Sequence, residues 1–161
     1  MPFDMHRIFC ATPFELEDER NAFYQVMSEF NEAYAMPRGI LLVSVSLVPQ
    51  MADKRPYQAA VNDNIKASRY YIQLIEDSWG PPERNMERDY ALAVKYCADP
   101  ESNLKQSVLL CKKPLLPHRV EPEIVQLKSS GQHLEFDTID EFKQLLRNLF
   151  EGWLESIPTT A

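Results

Sequence analysis

Glycine is scarce in this sequence, with only four among 161 residues. The four stand at positions 39, 80, 131 and 152, so no two share a loop. The dinucleotide fingerprint Gly-x-Gly-x-x-Gly and the P-loop both need clustered glycines, because backbone N–H groups must approach the phosphates closely. We therefore expect no phosphate site built on a glycine-rich loop.

Cysteine and histidine are also few, with three of each in the chain. Cys10, Cys97 and Cys111 are widely separated, none belongs to a Cys-x-x-Cys pair, and the histidines are scattered. Metal sites need ligands at short, regular spacings, and disulfide frameworks need an even count. The sequence predicts no metal, no cofactor and a reducing, cytoplasmic setting.

Basic runs and long apolar runs are missing as well. The formal charge is -7 and the pI is near 5.0, so the chain repels polyphosphate and general nucleic-acid binding is not expected. No apolar run approaches the ~18 residues of a membrane span. The first residues also lack the basic and apolar regions of a signal peptide, so we expect no membrane association.

The rest of the composition is typical of one globular domain, which we assign to residues 1–161. Hydrophobic residues make up 45% of the chain and charged residues 25%, which is normal for a folded protein. Short apolar or alternating runs predict strands at 6–12, 40–48, 69–76, 108–111 and 132–137.

Helical patterns separate these strands. A Thr12–Glu15 capping box predicts the first helix, whose apolar stripe is Phe23, Met27, Phe30 and Tyr34 and which ends at residues 37–39. Further helices are predicted at 57–68, at 85–98 with the inner stripe Met86, Tyr90, Ala93, Val94 and Cys97, and from a second capping box, Thr138–Glu141, to Pro158. The segment 123–128 is ambiguous, and 49–56 is predicted to be a polar loop.

Regular alternation of strands and helices indicates right-handed βαβ crossovers and a parallel sheet covered on both faces. The sequence thus predicts an α/β fold, a flavodoxin-like three-layer sandwich with five parallel strands in the order 2-1-3-4-5. Ligands of such sheets bind beyond the carboxyl ends of the strands, near the reversal of strand order. Here that means the loops 11–14 and 77–84.

Glu87 is the leading catalytic candidate, because it falls in the first turn of the helix after the second loop, where the helix dipole favours an ionised carboxylate. An acid that merely favours a helix start is the plainer interpretation. Asp77 is the second candidate acid, for a ribose hydroxyl or a leaving group, although aspartate is also common in turns.

Ligand contacts are expected from both loops. Trp79, with Ser78 and Gly80, could stack on a base or simply anchor the loop. Arg84 and Arg88 could bind a phosphate or carboxylate, or pair with nearby glutamates. Thr12, Pro13 and Phe14 complete the set; because Pro13 has no N–H, this loop is expected to contact a sugar or base edge rather than a pyrophosphate.

Three stretches resemble known families. Residues 7–14 with Glu19 and Arg20, residues 65–81, and residues 86–93 resemble two related groups. One is the TIR-like domain found at the front of many signalling NTPases, and the other is the nucleoside 2-deoxyribosyltransferase-like group. The resemblance implies that Glu87 is the carboxylate that acts in N-glycosidic bond cleavage. The chain departs from the transferase pattern Asp-x-Gly-Thr, having Pro-Glu-Arg-Asn at residues 82–85, and it has Ala-Thr in place of Ala-Gly at residues 11–12.

The leading functional hypothesis is therefore a domain that binds, or cleaves the N-glycosidic bond of, a nucleotide or NAD-type ligand. The alternative is a non-catalytic signalling or assembly module that forms a homo-oligomer or docks a partner. A flavodoxin-type carrier is disfavoured because the chain has no Ser/Thr/Gly phosphate loop.

Overall fold

The computed structural model describes residues 2–45, 54–79, 86–130 and 133–158. Strands and α-helices alternate along these residues. The strands are β1 (Asp4–Ala11), β2 (Ile40–Val45), β3 (Tyr70–Ile75), β4 (Gln106–Lys112) and β5 (Leu134–Phe136). The helices are α1 (Glu17–Phe30), α2 (Lys54–Ala67), α3 (Met86–Ala98), α4 (Pro122–Ser129) and α5 (Ile139–Ser156).

All five strands run parallel in one sheet of order β2-β1-β3-β4-β5. The register aligns Ile8 with Tyr70 and Tyr70 with Gln106. The predicted fold class and strand order are confirmed. The strand order reverses between β1 and β3, so the loops after these two strands meet at the carboxyl edge of the sheet.

Apolar side chains on the two faces of the sheet form separate cores. On one face, Ile72 and Leu110 pack with α1 and α5 through residues such as Phe23 and Phe150. The opposite face packs on the other helices, with Tyr71 against α2 and α3 and with Leu109 against Ile124 of α4. Near-continuous apolar strands are required because both faces are covered.

The start of α1 differs from the prediction. Thr12 does not cap the helix; a 3-10 turn, Phe14–Leu16, comes first, and α1 begins only at Glu17. The Leu16 N–H donates to the Pro13 carbonyl at 3.0 Å. This tight turn buries Leu16, so burial of an apolar residue overrides the local capping signal.

The end of α1 carries a π turn, Asn31–Ala35, followed by a 3-10 turn that closes at Gly39 with φ of 74°. Because a π turn changes the angle per residue, Tyr34 leaves the predicted apolar stripe and is 61% exposed. Asn31 is instead buried. Residues 37–39 do end the helical segment, as predicted, and only glycine adopts the left-handed conformation at this position readily.

Other boundaries shift by a few residues. Helix α2 starts at Lys54, inside the predicted loop, because proline is tolerated in a first turn. Segment 123–128 lies within α4, and Val94 of the predicted α3 stripe is exposed. The end of the predicted second strand, residues 46–48, and Asn85, the predicted cap of α3, lie outside the described residues.

Helix α5 follows its prediction closely. The Thr138 hydroxyl accepts a hydrogen bond from the Glu141 N–H at 3.1 Å, as a helix cap should. The Glu141 carboxylate accepts in turn from the Asp137 N–H at 2.8 Å. The predicted inner face is buried at Phe142, Leu146, Phe150, Trp153 and Leu154.

Candidate functional site at the carboxyl edge

A glutamine in the central strand connects the elements that meet at the carboxyl edge. Gln73 is fully buried near the end of β3, beside Ala11 at the end of β1. Its Nε2 donates to the Leu74 carbonyl at 3.1 Å and lies 3.5 Å from the Ala11 carbonyl and 3.7 Å from the Met86 sulfur. The end of β1, the middle of the sheet and the start of α3 therefore converge on this side chain.

Tyr71 extends this buried polar group. Its hydroxyl donates to Gln73 Oε1 at 2.7 Å, and its ring stacks on Phe9 at 5.5 Å between centroids. Burial first, and then the nearby Asp89 carboxylate, raises the pKa of Tyr71 well above its usual value. Tyr71 is thus held as a neutral hydrogen-bond donor, because ionisation would place an uncompensated charge in the core.

Asp89, on α3, is the buried acid of this region. It is 5% exposed, and its Oδ1 accepts from Gln58 Nε2 of α2 at 3.1 Å. The Arg88 guanidinium lies 3.6 Å from the same oxygen and also donates to Asn62 Oδ1 at 3.1 Å. This hydrogen-bonded group holds α2 and α3 together beside Tyr71.

Glu87 lies in the first turn of α3, and its side chain is exposed. The carboxylate therefore stands on the surface of the carboxyl edge rather than in the protein interior. Arg88, the predicted phosphate ligand, is exposed as well, and it contacts Asn62 and Asp89.

The segment after β3 packs along the same edge. Trp79 is half-buried and its ring centroid lies 5.7 Å from that of Tyr90 on α3. It also packs against the apolar cluster around Ile75 and Ile124, which makes it an anchor for this loop. Asp77 and Ser78 are half-buried next to it, and the Asp77 carbonyl accepts from the Glu121 N–H at 2.9 Å.

The loop after β1 contributes small buried groups. Thr12 and Pro13 are buried, and Thr12 Oγ1 lies 3.5 Å from the Cys10 sulfur. Burial raises the pKa of the Cys10 thiol to about 12, so this thiol is not a nucleophile at neutral pH. The Phe14 side chain, Gly80 and Arg84 lie outside the described part of the chain.

An ion pair occupies the α1 side of the carboxyl edge. Glu19 is 2% exposed, and its Oε1 lies 2.8 Å from Lys112 Nζ at the end of β4. The hydrogen bond to Glu19 raises the pKa of Lys112. Burial raises the pKa of Glu76, just after β3. Charge at this edge is therefore paired where it is most buried.

Two of these residues, Gln73 and Asp89, were not predicted as site residues, yet both have a sequence signal. Gln73 interrupts the otherwise apolar Tyr70–Ile75 strand. Asp89 stands three residues after Met86, on the inner side of α3. A polar residue at a position that periodicity assigns to the core marks a buried hydrogen-bonded group.

The described cavities lie at other places in the fold. One of about 360 Å³ separates the π turn from α5, and one of about 350 Å³ opens at the amino ends of β3 and β4. Within residues 2–45, 54–79, 86–130 and 133–158, no cluster of three His, Cys, Asp or Glu residues could hold a metal ion. None of the helices in those ranges is both long and apolar enough to cross a membrane.

Comparison with known proteins gives a likeness of fold. No family model matches the chain, and no curated protein matches it. Among solved structures, the Clostridium botulinum CMP N-glycosidase BcmB matches with a TM-score of 0.50 and 15% sequence identity, over 88% of this chain and 98% of that chain. The two chains therefore share one α/β fold over almost their whole lengths.

Proposed function

We propose that this protein cleaves the N-glycosidic bond of a nucleotide or nucleoside at the carboxyl edge of its sheet. The observation that carries the proposal is the convergence on Gln73 of the end of β1 and the start of α3. It brings Glu87, in the first turn of α3, to the edge where ligands of parallel sheets bind. The shared fold with a CMP N-glycosidase and the family resemblance support the same reaction class.

Glu87 is the proposed catalytic carboxylate. Its exposure lets a substrate reach it, and it lies in the first turn of α3. As the bond between sugar and base breaks, the base leaves with the bonding electron pair and takes up a proton. The sugar carbon becomes electron-poor, a carboxylate stabilises or traps it, and water then adds to that carbon.

The remaining site residues are proposed to position the substrate. The sugar or a base edge would be contacted by Thr12, Pro13 and Phe14. A sugar hydroxyl would be bound by Asp77 and Ser78. The edge of Trp79 that is not covered by Tyr90 would contact the base, together with Gly80. Arg84 and Arg88 would contact a phosphate. Gln73 and Tyr71 hold α3 against the sheet and so position Glu87.

The test is to incubate the protein with CMP, deoxycytidine or NAD and to measure the release of free base by chromatography. E87Q should lower the rate about 100-fold, the loss typical of removing one transition-state charge contact. The matched control is E123Q, an exposed glutamate in the first turn of α4, which should keep the wild-type rate. Folded wild-type protein that releases no base from any of the three compounds would refute the proposal.

Asp89 provides an internal check on the assignment of the acid. D89N removes a buried carboxylate that Gln58 binds, so it should lower thermal stability while the folded fraction still releases base. A folded D89N protein without activity, combined with an active E87Q protein, would move the catalytic role from Glu87 to Asp89.

A second candidate function is a non-catalytic assembly module. It is favoured by exposed apolar residues near α4, where Leu115 is 89% and Val125 55% exposed. Exposed apolar surface of this kind often marks an interface. Light scattering that gives a strict monomer, together with turnover of a nucleotide, would contradict this candidate.

A further inference from the structure

A hollow of about 350 Å³ opens at the amino edge of the sheet, opposite the carboxyl edge described above. Arg69 and Lys105, the residues just before β3 and β4, stand on one side of it. Helix α5 forms the other side with Asn148, Gly152 and Ser156. The hollow is thus bounded by polar and basic groups from three elements.

The two cations are adjacent and held in place. The Lys105 N–H donates to the Arg69 carbonyl at 2.8 Å, which fixes the two backbones side by side. The ammonium of Lys105 donates to the Ser102 carbonyl at 2.7 Å and lies 3.5 Å from the Pro100 carbonyl, and Arg69 Nε lies 3.4 Å from the Tyr70 hydroxyl. These contacts are all with neutral groups, so they do not neutralise the two positive charges.

Charge around the hollow is opposite in sign to the charge of the protein. The chain carries a formal charge of -7, yet the described residues that line the hollow include two cations and no carboxylate. Neither cation takes part in an ion pair within the described ranges. A local concentration of positive charge on an acidic protein attracts an anion.

Gly152 keeps the hollow accessible from the α5 side. It lies in the interior of an 18-residue helix, where glycine is the least favourable residue apart from proline. A Cβ built on Gly152 would meet no atom within 4 Å, so close packing does not require glycine. A longer side chain here would extend into the open space beside the hollow without colliding with the fold.

The floor of the hollow provides an optical signal. Trp153 stacks on Tyr70 with 4.1 Å between ring centroids, and its Nε1 donates to Gln106 Oε1 at 2.6 Å. Tyr70, Gln106 and Trp153 all line the hollow. A charged ligand bound next to Arg69 would therefore change the environment of the Trp153 indole.

We propose that this hollow binds the phosphate group of a small molecule, held between Arg69 and Lys105. Two cations balance a phosphate dianion, and the planar guanidinium presents paired donors that match phosphate oxygens. On the opposite wall the Asn148 side-chain N–H groups are donors, since its oxygen accepts from Gln144. The site is separate from the carboxyl edge, so phosphate binding here does not depend on the proposed glycosidase activity.

The experiment uses a W79F background, in which Trp153 is the only remaining tryptophan. Its fluorescence is titrated with inorganic phosphate and with glycerol 3-phosphate, against sodium chloride at equal ionic strength. We expect a saturable change with phosphate compounds and none with chloride. Equal affinity for both compounds would identify a free phosphate site, and tighter binding of the ester would show that the organic part also fills the hollow.

Three variants test the placement of the ligand. R69Q and K105Q should each weaken binding about tenfold, as loss of one charge-assisted contact does, while the control K66Q, a lysine in the last turn of α2, should bind normally. G152L should weaken phosphate binding at least as much as R69Q or K105Q does, without lowering the melting temperature of the protein. Unchanged binding in the R69Q/K105Q double variant, or no saturable change up to ~10 mM phosphate, would overturn the proposal.

Discussion

The side-chain amide of Asn31 binds both backbone groups of Leu42. Asn31 Nδ2 donates to the Leu42 carbonyl at 2.9 Å, and Asn31 Oδ1 accepts from the Leu42 N–H at 2.9 Å. Leu42 lies in β2, at the edge of the sheet, where backbone groups have no strand to pair with. The π turn thus supplies one polar side chain in the position of a missing strand.

Replacing this amide should destabilise the edge. N31A leaves two buried backbone groups of Leu42 without partners, so we expect the free energy of unfolding to fall by about 2–4 kcal/mol. Urea denaturation measures the change. Q144A, which removes an exposed Gln144–Asn148 bond of 2.9 Å, is the control and should change stability by less than ~0.5 kcal/mol. An equal effect of both substitutions would contradict the role given to Asn31.

Removing one partner of the Glu19–Lys112 ion pair should lower the free energy of unfolding. K112M leaves Glu19, only 2% exposed, as an unpaired buried charge, and such a change costs about 3–5 kcal/mol. The double variant E19Q/K112M removes the charge and should regain most of the lost stability. A double-mutant cycle measured by urea denaturation checks this, and simple additivity of the two single changes would refute it.

The thiols should be unreactive in the folded protein. Burial raises the pKa of Cys10 to about 12 and that of Cys111 to about 11, so almost no thiolate is present at pH 8. With a disulfide reagent at pH 8, we expect slow reaction of Cys10 and Cys97, which are half-buried, and reaction of buried Cys111 only after unfolding. Rapid reaction of Cys111 in the native protein would contradict its burial.

The same thiols give a pH dependence of stability. Their folded pKa values lie above the ordinary value of 9.0, so the unfolded chain releases their protons first as pH rises. The stability that depends on neutral thiols is therefore complete below pH 9 and is lost between that value and about 12. Unfolding free energies of wild type and C10A at pH 8 and pH 10 test this: the decrease should be smaller in C10A.

Two similar capping motifs in the sequence had different outcomes, which shows the limit of predicting helix starts from local sequence. Thr138 caps α5 as expected, because nothing competes for the exposed start of that helix. Thr12 does not cap α1, since Leu16 must reach the core and a 3-10 turn forms instead. Local motifs therefore predict helix starts well at the surface and poorly where the first turn is buried.

The same distinction applies to the fold and the site. Strand order follows from alternation and apolar runs, because a parallel sheet covered on both faces has few workable topologies. The side chains that meet at the carboxyl edge depend on tertiary packing. Spacing favoured Glu87, whereas the helix phase fixed by Met86 and Ala93 turns Asp89 inward and Glu87 outward.

Gln73 has a consequence for how the central strand finds its alignment. A slip of β3 by one position would turn this amide into the apolar core shared with α1 and α5 and turn Ile72 towards Asp89. Misaligned pairings would separate the amide from its contacts outside β3, the Ala11 carbonyl and the Met86 sulfur. A single polar residue thus penalises every odd shift of the middle strand.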